Sequence, residues 1–89
     1  MNIMIWKYDL KPYCEIELRA GAKILSVGQQ FNEVKMWVEV NLDETKTEVR
    51  KFALVGTGIR NELNGTEKFL GTVMCHGGSL VLHAYEVLN

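Results

Sequence analysis

The sequence predicts an all-β fold: about seven short, mainly antiparallel strands in a small sandwich or barrel. Three observations predict it. Apolar and polar residues alternate with period two along the whole chain, turn-forming residues interrupt that alternation at short intervals, and no segment carries apolar residues at the spacing of a helix face.

Met4, Trp6 and Tyr8 fall on one face of a first strand and Ile3 and Ile5 on the other, so both faces look apolar. Pro12, which has no N–H to give to a ladder, suits the following connection. Cys14, Ile16 and Leu18 then alternate with Glu15, Glu17 and Arg19, giving a strand with one wet side. Gly21 and its flanking alanines break that strand, and Lys23 to Val27 resumes as a third, ending near Gly28. Asn32 and Glu33 mark a turn before the clearest amphipathic strand, in which Val34, Met36, Val38 and Val40 alternate with Lys35, Trp37, Glu39 and Asn41. Asp43-Glu44-Thr45 reads as a hairpin turn and Thr47 to Val55 as the returning strand. The phase change from Val49 to Phe52 and Leu54 predicts a β-bulge near Arg50-Lys51. The apolar pattern lapses from Gly56 to Glu67, the longest loop. Lys68 to Cys75 and Leu80 to Leu88 are the last strands, joined by His76-Gly77-Gly78-Ser79, whose glycines allow the positive φ angles of a tight hairpin turn.

Composition narrows the function classes. The 89 residues, read as one domain over 1–89, are 47% hydrophobic and 24% charged with one proline, which is far from a disordered composition. A net charge of −1 creates no field that would draw the chain to duplex nucleic acid or to a membrane surface. No apolar run reaches the length of a membrane span, and the N-terminal run is too short for a signal peptide. Cys14 and Cys75 lie far apart without a Cys-x-x-Cys partner and read as reduced thiols rather than as a disulfide or metal pair.

Few residues are arranged for chemistry. Gly56-Thr57-Gly58 with Arg60 is the nearest approach to an anion-binding loop, since glycines let backbone N–H groups come close to a phosphate. It has neither a P-loop lysine nor the third glycine of a dinucleotide fingerprint, and a glycine-rich strand exit is the favoured account of it. His76 and His83 are the only histidines, and neither stands at metal-ligand spacing; His83 shares a strand face with Tyr85 and reads as a packed, hydrogen-bonded residue. Trp37 falls on the polar face with Lys35 and Glu39, where it could stack on a base, anchor a partner chain or cover the core of a second sheet. The carboxylates are scattered and form no acid/base couple, and no cofactor or metal motif is present.

Ile5-Trp6-Lys7-Tyr8, Gly21-Ala22-Lys23-Ile24-Leu25-Ser26-Val27, the lone Trp37, Phe52, Gly56-Thr57-Gly58, Leu70-Gly71-Thr72-Val73 and the hairpin from Gly77 to Glu86 together resemble a family of small uncharacterised proteins found mainly in tailed phages and prophages. The chain departs from that pattern where Arg19-Ala20 replaces a proline before Gly21 and where Ile59-Arg60 follows Gly58 in place of His-Pro. The resemblance implies a phage setting and a host-cytoplasmic location, without an activity. Three expectations follow. The first is a binding protein that counters host defence, sequestering a nucleotide-derived signal in a pocket formed with a second copy of the chain and lined by Lys7, Trp37, Gly56, Thr57, Gly58, Arg60, His83 and Tyr85. The second is a protein-interaction module or minor phage component that holds a partner such as a host defence protein through an exposed aromatic face or strand edge. The third and least supported is a small hydrolase using His83 or His76.

Overall fold

Each alternating segment becomes a strand in the computed structural model, which describes residues 2–88. The strands are β1 Ile3–Asp9, β2 Tyr13–Arg19, β3 Lys23–Gln30, β4 Glu33–Asn41, β5 Thr47–Gly56, β6 Lys68–Cys75 and β7 Leu80–Val87. They pair antiparallel throughout in two sheets, one ordered β1-β4-β3 and the other β2-β5-β7-β6. The sheets pack face to face as a small sandwich without closing into a barrel.

Period two places the core. Val34, Met36, Val38 and Val40 of β4 point at the second sheet and are at most 5% exposed, meeting Leu18, Phe52, Val73, Cys75 and Ala84. Trp6 and Tyr8 pack against the rim of this core. The Arg19 guanidinium lies 5.6 Å from the Trp6 ring centroid and donates to the Leu42 and Glu44 carbonyls, closing one side of the sandwich. Burial there raises the pKa of the Tyr8 hydroxyl, against a smaller lowering by Arg19.

Two expectations are corrected by the topology. Residues 42–46 do turn, with the Glu44 N–H bonded to the Asn41 carbonyl, but β4 and β5 do not form a hairpin. Both edges of β4 are already occupied, by β1 and β3, so β5 crosses to the other sheet and pairs with β2 and β7. Nor does β5 contain a bulge at Arg50-Lys51, because its register with both neighbours is unbroken. The phase change has another cause: Arg50 occupies an inward position, its Nε and Nη2 on the two carboxylate oxygens of Glu86 (2.7 and 2.9 Å) and its Nη1 on the Ala22 carbonyl (2.6 Å). Glu86 in turn raises the Arg50 pKa above its ordinary value. The register shifts lie instead at Leu25 in β3 and Leu70 in β6.

Those two bulged strands run beside each other where the sheets meet, joined by packing rather than by a ladder. Gly71 is what lets them approach, since a Cβ there would lie 2.7 Å from Val27 Cγ2. The hairpin tips also meet, because the His76 N–H donates to Asn32 Oδ1 (2.9 Å). The β3–β4 tip is a two-residue turn at Phe31-Asn32, both at positive φ, one residue earlier than the sequence indicated; β3 accordingly runs on to Gln30. The closing hairpin turns at His76 to Ser79 as expected, with Gly77 at φ 66° and Gly78 at φ 93°, and β7 ends at Val87.

Candidate functional site

The outer face of the four-stranded sheet is where most of the predicted residues gather. Alternation that buries Phe52 and Ala84 turns Ala53, Val55, His83 and Tyr85 outward. Register aligns Tyr13, Ala53, Tyr85 and Phe69 in one row across β2, β5, β7 and β6. The Phe69 and Tyr85 rings meet edge to face, centroids 5.4 Å apart, and Tyr13 and Phe69 stay 57% and 53% exposed. Below that row Val55, His83 and Thr72 form a second one. Thr57 Oγ1 lies 2.7 Å from His83 Nε2 and Thr72 Oγ1 3.0 Å from Nδ1, so both ring nitrogens are engaged. A hydroxyl can donate or accept, so this pair of threonines satisfies either neutral tautomer. The half-buried ring is thus fixed between the two threonine hydroxyls.

The loop that leaves β5 returns over this face. Gly56 begins a tight turn in which the Ile59 N–H bonds the Gly56 carbonyl, and Gly58 sits at φ 75°. The Thr57 N–H points to the Val81 carbonyl. The Thr57 donor of the Gly-Thr-Gly segment and the Ile59 donor that follows it are thus committed within the protein, which reduces the N–H cradle that an anion needs. Arg60 extends into solvent and makes no ion pair among the described residues. Further along, the Glu67 carboxylate accepts the Asn64 and Gly65 N–H groups (3.1 and 3.0 Å), which hold its pKa below the ordinary carboxylate value, Asn64 most strongly. Between loop and sheet runs a groove of about 400 Å³ lined by Tyr13, Ala53, Val55, Leu63 and Val87, with Glu62 among the residues at its rim.

Lys7 and Trp37 do not join this site. They stand directly opposite each other on β1 and β4, on the outer face of the three-stranded sheet, the far side of the sandwich. One chain therefore cannot bring all eight predicted residues into one pocket. Trp37 also points away from the second sheet and is half-buried rather than free, its ring lying where a Cβ on Gly28 would come within 3.3 Å. Beside it Lys35 is 7% exposed between the Asp9 and Glu33 carboxylates; the hydrogen bond to Asp9, more than that to Glu33, raises its pKa and lowers that of Asp9.

A model of a domain of unknown function, DUF7352, matches residues 1–89. The chain belongs to the DUF7352 family. No curated protein and no solved structure matches significantly, so membership in this family carries no chemistry to the site. Among the described residues no group of three or more His, Cys, Asp or Glu could hold a metal ion, and no helix is long and apolar enough to cross a membrane.

Tyr13 and Phe69 are the site residues that sequence reasoning missed. A signal for them existed, since β7 is apolar at outward as well as inward positions, which marks a face that is not simply wet.

Proposed function

We propose that the domain is a binding module that docks an apolar segment of another protein on the outer face of its four-stranded sheet. The observation that supports this reading is the aromatic row Tyr13, Tyr85 and Phe69, with its two ends more than half exposed beside a preformed groove. On its β2 flank Glu15 stands opposite Lys51 but Glu17 opposite Val49, and Glu62 stands at the rim of the groove, so the matching segment presents an aromatic or aliphatic side chain with lysine or arginine toward Glu17 and Glu62. In the phage setting that the resemblance implies, such a partner is a host defence protein, inhibited by occupation.

The nucleotide-sequestering alternative rests on a different face. Lys7 and the half-buried Trp37, directly opposed on adjacent strands, pair a cation with an aromatic surface on which a base could stack. Calorimetry separates the two readings. A partner captured from host lysate and purified should bind the wild-type chain and lose at least about thirtyfold in affinity to Phe69→Glu or Tyr13→Glu, the loss expected for an aromatic anchor. Equal binding by wild type and both variants refutes the docking face. Heat with a cyclic or ADP-ribose-type nucleotide that Trp37→Ala abolishes would transfer the function to the other sheet.

A further inference from the structure

A sandwich of two open sheets has four edge strands, and an unguarded edge is a template for pairing with another chain. Three of the four edges are guarded here. β3 and β6 each carry a bulge and cover one another, and β2 presents Glu15, Glu17 and Arg19. β1 is different. It holds an unbroken seven-residue register with β4, contains no proline, carries its two charges, Lys7 and Asp9, only in its second half, and exposes Ile3, Met4 and Ile5 at 40%, 48% and 56%.

We propose that β1 pairs antiparallel with β1 of a second copy about a two-fold axis at Ile5, fusing two three-stranded sheets into one of six strands. This is independent of the docking face, which lies on the other sheet. The occupant and register follow from the strand itself. Pairing a strand with its own copy is isologous and closes at two subunits. Centred on Ile5, the axis sets Ile5 against Ile5 and Met4 against Trp6, covering the exposed apolar residues, and lays Ile3 along the Lys7 stem. Centred on Trp6, it would oppose Ile3 to Asp9. Centred on Lys7, it would oppose two lysines, which is destabilising. Of these three axes, the one at Ile5 leaves Asp9 to its bond with Lys35 and brings no like charges together.

Sedimentation of the full chain from micromolar to millimolar concentration should show a monomer–dimer equilibrium. Ile5→Lys should raise the dimer dissociation constant at least a hundredfold. The variant should still fold, because Ile5 is exposed and directly opposite Glu39, where a lysine gains a partner; an unchanged circular dichroism spectrum and melt would confirm that. Val49→Lys, equally exposed on the other sheet, should leave the dimer intact. Cross-linking fixes the register. In a Cys14→Ser background with oxidised glutathione, Ile5→Cys should form a covalent dimer, since directly opposed Cα atoms lie about 4.5 to 5.5 Å apart, within disulfide reach. Lys7→Cys should not, because its two copies would be about 13 Å apart along the strands. A chain that stays monomeric at millimolar concentration, a dimer that survives Ile5→Lys, or cross-linking as efficient at position 7 as at position 5 overturns the proposal.

Discussion

Glu86→Ala tests the most consequential polar interaction in the core. Arg50 and Glu86 face inward with side chains 19% and 8% exposed, joined by two charge-assisted hydrogen bonds, and Arg50 Nη1 donates to the Ala22 carbonyl. Removing the carboxylate leaves a guanidinium that stays ionised at any accessible pH with the more distant Glu48 carboxylate, 3.9 Å from Nη1, as counter-charge, and breaking such a pair costs about 3 to 5 kcal/mol. The lower end applies, because the groove lined by Glu48, Lys51 and Lys68 admits water to the freed head group. Against a total stability of roughly 4 to 13 kcal/mol for a chain of this length, a loss of about 3 kcal/mol lowers the melting temperature by roughly 12 to 24 °C. Urea denaturation measures the loss directly. Arg50→Met combined with Glu86→Leu should recover most of it, because apolar residues of similar volume replace the pair without a desolvation cost. Roughly 1 kcal/mol should remain for the Ala22 carbonyl that has lost its donor. A cost below about 1 kcal/mol for Glu86→Ala, or a double variant no more stable than the single one, refutes the reasoning.

Gly71→Ala should destabilise by about 1 to 3 kcal/mol in the same assay, because its methyl would meet Val27 Cγ2 at 2.7 Å; adding Val27→Ala, which deletes that contact, should restore part of the loss. Stability should also fall in acid through Asp9. The Lys35 hydrogen bond depresses the folded Asp9 pKa, so its contribution is present above the unfolded value of about 3.9 and disappears as pH falls through the folded one. The difference in urea midpoint between wild type and Asp9→Asn should therefore hold steady from neutrality to about pH 5 and shrink as the pH falls below the unfolded value and through the depressed folded one.

Strand positions were legible because the backbone writes burial with period two, most plainly in β4, whose even-numbered residues from 34 to 40 are all buried. What misled was charge on the wrong side. Arg50 is an inward residue that counts as polar, so a continuous strand looked like one that slips. The true bulges at Leu25 and Leu70 were invisible because an extra apolar residue among apolar residues leaves no break in the pattern. Sheet membership was illegible for a different reason. Whether β5 can return onto β4 depends on β1, some thirty residues away in sequence, having taken that edge. The candidate site inherits this limit: His83 is hydrogen-bonded as the strand-face reading expected, whereas Lys7 and Trp37 were grouped with it although they belong to the other sheet.

The seam where β3 passes β6 bears on how the chain reaches this structure. Only β3–β4 and β6–β7 join strands that are neighbours in sequence; β1–β4 and β2–β5 close long intervening segments. Loop-closure entropy opposes those distant pairings until something holds their ends together. The two local hairpins are also the two that touch across the seam, through Val27 and Gly71 and from Asn32 to His76. Loop-closure entropy therefore favours these two hairpins as the nucleus, with β5 adding to β7, β2 to β5 and β1 to β4. The strand that completes the three-stranded sheet is β1, which needs β4 in place before it can pair and whose other edge is the one left apolar in the finished molecule.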